Sequence, residues 1–301
     1  MRVLVTGASG FLGIPIVDAL GRAGAKIAGL SRSAQLTKDG SKVDWINADI
    51  GKPSTFGKAV EAFAPETIIH LAWSDLPDYS FDTSFANLAR SMEFMSFVTN
   101  LESCRNILVA GSCWEITDRS GPCEENEEAR STNHFTWSKL ALYSWLEMEC
   151  RRRNISLKWM RIFYSYGPRQ RSESLIPSIL DSLGKKELPK IKTPLHSNDF
   201  VYVDDIAEAF VRAVFAGPSG TGVFHLGSGF ATPVIEVCRI ADELINGSTE
   251  ITQQVECDSH GTEGTSSFWA DSTRSKNNLG WSSSTSLTEG IDKTWRWMKR
   301  T

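Results

Sequence analysis

The sequence predicts an α/β protein: a doubly wound parallel sheet with a smaller, discontinuous C-terminal domain. Three observations predict it. Met1-Arg-Val-Leu-Val-Thr6 is an apolar, β-branched run of strand character. Gly7, Gly10 and Gly13 follow at GxxGxxG spacing and lead into a segment of helical periodicity, Phe11 to Leu20. Strand-like and helix-like stretches then alternate through the first half, which means parallel strands covered by helices on both faces.

The glycine stretch has the chemistry of a pyrophosphate cradle, as in Rossmann-like folds. One glycine permits a sharp turn, one lets the backbone approach the phosphates, and one lets the helix pack close to the sheet. Gly7, Ser9, Gly10, Phe11, Leu12 and Gly13 are therefore candidate cofactor contacts. Pro15 lies so early in the helix that it removes at most about one hydrogen bond.

The elements follow in order. Lys26–Leu30 and Val43–Ile46 read as the second and third strands, and Ser54–Phe63 as a helix. Thr67–Ala72 reads as the fourth strand, Phe85–Asn100 as a long helix, and Asn106–Ala110 as the fifth strand. Ligands of such sheets sit at the carboxyl ends of the strands, which brings in Leu71, Ala72 and Trp73 beside the cofactor. At the end of the second strand an NAD site usually carries an acid for the ribose hydroxyls. Here Ser31-Arg32-Ser33 stands instead. Arg32 would pair with a 2′-phosphate and Ser31 or Ser33 could donate to it, so the expected cofactor is NADP(H). Asp49 and Ile50 are candidates for the adenine edge, although an Asp before a helix is also a common cap.

Composition sets outer bounds. The 301 residues are 41% hydrophobic and 23% charged, with a formal net charge of -4, which argues against a nucleic-acid surface. No run of about 18 apolar residues predicts a membrane span. The first strand begins at Met1, leaving no room for a signal peptide, so a cytoplasmic protein is expected. Cys104, Cys113, Cys123, Cys150, Cys238 and Cys257 lie apart without a CxxC, so neither a metal site nor a disulfide framework is expected.

Further short motifs join the glycine loop: Ala48-Asp49-Ile50, His70-Leu71-Ala72, Asn87, Ser112, Ser138-Lys139, Arg161 with Tyr166-Gly167-Pro168, Asp199 to Asp205, and Leu279-Gly280-Trp281. In their order, across nearly the whole chain, they resemble the extended short-chain dehydrogenase/reductases of the nucleotide-sugar epimerase/dehydratase type. The resemblance implies a catalytic Ser or Thr after the fifth strand and a Tyr-x-x-x-Lys on the next helix. There the tyrosine moves the proton, and the lysine tunes it and holds the nicotinamide ribose. Ser112 takes the hydroxyl position and Lys139 the lysine position, but Phe135 stands where the tyrosine is expected. A phenyl ring carries no proton. An engineered substitution, a substitute acid such as a water held by Ser112 and Lys139, or ligand binding without turnover each accommodates it. Tyr143 lies too far along the helix to replace it; Tyr164 is a candidate.

The resemblance also implies a homodimer and a nucleotide-diphosphate sugar as substrate. It assigns substrate contacts to Ser74, Cys113, Trp114, Tyr164, Arg169 and Ile176. Cys113-Trp114 departs from the Asp-Glu pair with which the family's 4,6-dehydratases remove water, so dehydration is disfavoured. Asn198 stands where many relatives carry Arg, and Asp258–Ser267 reads as a loop near the ligand. The cofactor domain is expected over 1–167 with a return of 198–227 to the sheet. The substrate domain is expected over 168–197 and 228–301. The stretches His70–Tyr79 and Leu157–Gly167 are similar to those of reductases of nucleotide-linked 4-keto-6-deoxy sugars, such as dTDP-4-dehydro-6-deoxyglucose reductases. That resemblance implies hydride transfer from NADPH to C4. An epimerase and a catalytically silent NADP-binding protein remain the alternatives.

Overall fold

The computed structural model describes residues 1–32, 43–116, 120–217, 220–255 and 267–300; Ser33, Cys257 and nearly all of Asp258–Ser267 lie outside them. Seven parallel strands form the main sheet. In chain order they are β1 (Arg2–Thr6), β2 (Lys26–Ser31), β3 (Val43–Asn47), β4 (Thr67–His70) and β5 (Asn106–Ser112), then, beyond the short β6 (Gly121–Cys123), β7 (Ser156–Ile162). Past β8 (Tyr164–Tyr166), β9 (Ser197–Asn198) and β10 (Phe200–Tyr202) comes the seventh, β11 (Gly222–Leu226). Their spatial order is β11-β7-β5-β4-β1-β2-β3. The central strands are buried on both faces, which is why they read as unbroken apolar runs. Alternation splits them between two cores: Val3, Val5, Ile69 and Leu108 point to one side, and Leu4, Ile68, Ile107 and Val109 to the other.

The first face is covered by α1 (Gly13–Arg22) and the other by α2 (Pro53–Phe63), α3 (Phe81–Thr99) and α4 (His134–Arg153). Beyond α5 (Leu175–Gly184), α6 (Val203–Phe215) packs beside α1. A third core joins α5 to α7 (Val234–Asn246) and, after α8 (Thr273–Leu279), to α9 (Leu287–Met298), around Tyr166, Phe200 and Tyr202. Register levels the strand ends. Thr6 faces Leu30 on one side and His70 on the other, so the loops after β1, β2 and β4 meet at one edge.

Three differences from the sequence reading have local causes. Helix α3 starts one turn early because Ser80 caps it, accepting from Thr83 N at 3.4 Å. Residues 175–184, within a stretch that shows no regular alternation, form α5. Phe200–Tyr202 does not return to the main sheet: β11 already occupies the open edge of β7, so β10 pairs with β8 in a separate two-stranded sheet. Among the described residues no helix is long and apolar enough to cross a membrane.

Candidate active site

The loop after β1 turns on Gly7, whose φ of +68° disfavours a side chain. A Cβ there would stand 2.9 Å from Ala72 N, and one on Gly13 would stand 2.1 Å from the Gly7 carbonyl oxygen. Helix α1 begins without a side-chain cap; Ile14 N is taken by Gly10 O at 3.1 Å and Pro15 has no N–H, so the donors this positive dipole end offers to an anion are those of Leu12 and Gly13. The neighbouring strand end is held by Thr6. Its hydroxyl accepts from Leu71 N and Ala72 N, each at 3.3 Å, which leaves its proton for His70 Nδ1 at 2.8 Å. His70 Nε2–H then donates to Ser91 Oγ at 3.1 Å. Burial, with the Lys139 charge adding, pushes His70 down to about 3, so the ring is a neutral strut.

These elements open onto a cleft of about 640 Å³. At one end Ser9 and Ser31 share a hydroxyl hydrogen bond of 2.9 Å beside Arg32. Ala48 and Ile50 line the cleft there, but Asp49 between them does not. Its Oδ1 accepts from Gly51 N at 3.1 Å and closes the turn before α2. Phe11, Leu12, Leu71, Ala72, Trp73 and Ser74 line the middle. At the far end stand Arg169, Gln170, Arg171 and Ser174. Gln170 donates to Ser165 O at 3.0 Å, while its Oε1 is buried without a partner.

Ser112 ends β5, and its Oγ accepts from Trp114 N at 3.3 Å. Glu115, fully buried in the one-turn helix Cys113–Ile116, accepts from Ser112 N at 2.8 Å, Trp159 Nε1 at 2.9 Å and Arg161 Nε at 3.0 Å. Gly111 is required beside it, since a Cβ would stand 2.3 Å from Trp159 Nε1. Arg161 Nη1 donates to His225 Nε2 at 3.0 Å, which makes Nδ1 the protonated nitrogen, donating to Cys123 O at 3.1 Å. Burial and then the Arg161 charge push His225 down to about 3. Glu115 is thus saturated by structural donors.

Helix α4 starts in a capping box: Asn133 Oδ1 accepts from Thr136 N at 2.9 Å, and Asn133 N donates to Thr136 Oγ1 at 3.2 Å. That start places Phe135 in the first turn and Lys139 one turn later, both buried. Lys139 Nζ donates to Ala110 O at 2.9 Å and lies 4.2 Å from the centroid of the Trp73 ring. Burial pushes Lys139 down to about 8, against the pull of Glu115. Phe135 packs against Trp73 at 5.3 Å, Tyr79 at 5.5 Å and Trp114 at 6.3 Å. Ser112, Phe135 and Lys139 therefore come together, but behind Trp73 and outside the walls of the open cleft. The indole N–H of Trp73 is buried without a partner.

The remaining expected substrate residues divide. The Cys113 thiol is pushed well above its usual range by burial, with Asp199 and Glu115 adding, which rules it out as a ready nucleophile. Burial also raises Tyr164, whose hydroxyl accepts from Trp114. Arg169 reaches the cleft. Ile176 does not: it is 2% exposed and packs with Ile179 and Leu180 in the third core, on the inner face of α5. Sequence reasoning misses Tyr79 and Gln170, which lie in irregular connections whose periodicity carries no signal.

Residues 3–227 match the NAD dependent epimerase/dehydratase family. The chain is 27% identical to a UDP-glucose 4-epimerase of Mycolicibacterium smegmatis, over 98% of this chain and 97% of that one. It is 24% identical to a dTDP-6-deoxy-L-talose 4-dehydrogenase (NAD(+)) of Aggregatibacter actinomycetemcomitans, over 76% and 85% of the two chains. The crystal structure of a Thermotoga maritima UDP-glucose 4-epimerase with UDP-glucose superposes with a TM-score of 0.84 at 20% identity, over 100% and 99% of the two chains, which establishes the shared fold.

Proposed function

Because the chain belongs to the NAD dependent epimerase/dehydratase family, we propose that it reduces the 4-keto group of a nucleotide-linked 4-keto-6-deoxy sugar, using NADPH. The glycine cradle, which a side chain at Gly7 or Gly13 would fill, and the unpartnered indole N–H of Trp73 fit a dinucleotide. When bound, that cofactor supplies a hydride for C4. The loop and the start of α1 would hold its pyrophosphate, and Lys139, now beneath the Trp73 ring, would meet its ribose. Arg169 and Arg171, in the cleft wall, would pair with the sugar nucleotide's own diphosphate. Ser112 orients the reacting oxygen.

The observation that carries NADP, and with it net reduction, is Arg32 at the end of β2, in the cleft wall beside Ser9 and Ser31. An epimerase usually retains and recycles NAD, whereas a reductase must exchange its cofactor. Cys113 and Trp114 lack the acid–base groups that dehydration needs. The second reading, a 4-epimerase, is favoured by the end-to-end likeness to the M. smegmatis enzyme. Stoichiometric loss of NADPH absorbance with a dTDP-4-keto-6-deoxy sugar supports reduction; sugar interconversion without net cofactor consumption supports epimerisation. Neither activity, with both ligands bound, supports the silent protein.

Arg32→Ala is expected to weaken NADPH binding roughly 10- to 100-fold, since hydrogen bonds to charged groups contribute about 1.5–3 kcal/mol. NADH binding should change by less than about threefold. Calorimetry with both cofactors checks this, and equal loss for the two would remove the case for NADP.

We also infer that the outer face of α3 and α4 pairs with a second copy. Phe81 and Phe85 stack at 5.6 Å and Phe81 and Trp137 at 6.1 Å, and all three rings are exposed. Sedimentation should give a dimer, and Phe85→Glu a monomer; a monomeric wild-type chain would end this inference.

A further inference from the structure

We propose that Tyr79 is the proton donor of this reaction, in place of the phenol that Phe135 lacks. The proposal rests on the nucleotide-sugar reading above and adds a residue to it. The chain has five tyrosines. Tyr143 packs on Trp159 at 5.2 Å and hydrogen-bonds Glu147, one turn along α4. Tyr166 donates to Leu287 O at 3.4 Å in the third core, where Tyr202 packs against it at 5.6 Å. The Tyr164 hydroxyl is engaged by Trp114. Tyr79 alone keeps its phenol uncommitted and next to position 135. Its ring lies 5.5 Å from Phe135 and 5.0 Å from Trp114, it is half-buried, and its hydroxyl has no hydrogen-bond partner among the described residues.

The backbone around Tyr79 is pinned on both sides. Asp78 accepts from Ser80 N at 2.9 Å, Ser80 Oγ at 3.1 Å and Thr83 Oγ1 at 2.5 Å. The guanidinium of Arg171 donates to the Leu76 carbonyl, tying this loop to the far wall of the cleft. That brings a fixed positive charge near the phenol, the service that the lysine of a Tyr-x-x-x-Lys pair performs for its tyrosine. Burial raises the Tyr79 phenol and the Arg171 charge acts against it, so the group is a neutral donor near pH 7 whose anion is partly stabilised. As C4 is reduced by the hydride of a nicotinamide cofactor, the carbonyl π pair moves onto the sugar oxygen. The Tyr79 O–H bond breaks, its proton forms the new O–H on that oxygen, and water later returns a proton to the tyrosinate.

The test compares the wild-type chain with Tyr79→Phe, and Tyr79→Phe with the double variant Tyr79→Phe/Phe135→Tyr, using NADPH and a dTDP-4-keto-6-deoxy sugar. Tyr79→Phe is expected to lower kcat roughly 10²–10⁴-fold with KM nearly unchanged, and the second substitution to restore at least about tenfold. A second measurement does not depend on turnover. The difference in ultraviolet tyrosinate absorbance between wild type and Tyr79→Phe isolates this phenol, and saturation with dTDP-sugar should move its titration upward by about one pH unit, as a neutral donor to the sugar oxygen requires. A Tyr79→Phe chain that keeps kcat within about threefold of wild type overturns the proposal. So does a phenol whose titration ignores the sugar nucleotide. A wild-type chain that consumes no NADPH, yet whose Tyr79 titration responds, supports the placement of the phenol and overturns the reductase reading.

Discussion

Gly13→Ala is expected to abolish dinucleotide binding and to destabilise the chain by an amount near the upper end of the about 1–3 kcal/mol typical of overpacking. The added carbon would stand 2.1 Å from the Gly7 carbonyl oxygen and 2.7 Å from Ala8 Cα. Both obstacles are backbone, so no rotamer change relieves the clash. Either α1 moves off the sheet or the loop opens, and each separates the N–H groups that are to meet the pyrophosphate. Gly10 offers the graded comparison: a carbon there stands 3.2 Å from the same oxygen, so Gly10→Ala should retain measurable binding. Thermal unfolding and NADPH calorimetry on the two variants check the order. Equal binding by Gly13→Ala and wild type would mean that this loop is not the cofactor cradle.

Glu115→Ala is expected to be the most destabilising single change at the site, by about 3–5 kcal/mol. Glu115 and Arg161 form a buried ion pair at 3.0 Å, and removing the carboxylate strands the guanidinium, for which neutral His225 offers no charge. Trp159 Nε1 and Ser112 N lose their acceptor at the same time. Tm should fall by about 10 °C, and the strand end that carries Ser112 should lose its fixed position, so kcat should drop in whatever folded protein remains. Replacing both partners by methionine should cost less than Glu115→Ala alone, because no unpaired charge is then left inside. Chemical denaturation of the three chains measures this, and a mild Glu115→Ala would mean that water reaches Arg161.

The fold was legible where sequence encodes backbone constraint directly. The glycine loop is written in residue types because two of its positions have no room for a side chain, and the central strands in β-branched runs because both their faces are buried. Strand partners were less legible: Phe200–Tyr202 looks like any sheet strand, and only the prior occupation of the β7 edge by β11 sends it to β8. At the site, spacing brings the loop glycines, Ser31, Arg32 and Arg169 to one cleft, and Ser112, Phe135 and Lys139 to one cluster. It does not reveal that Trp73 separates the two, because side-chain direction after a strand end is set by neighbours distant in sequence. Asp49 and Ile176 followed local rules, a turn and an apolar helix stripe, that compete with ligand contact for the same residue types.

The rings that gather around Phe135, like Phe135 itself, come from outside the main sheet. Trp73 and Tyr79 belong to the connection between β4 and α3, Trp114 to the single turn after β5, and Phe135 to the first turn of α4. None is part of the sheet that holds the phosphate-binding loop. The aromatic cluster and the glycine loop are thus carried by separate segments of the chain, joined only where Trp73 lines the same cleft as the loop.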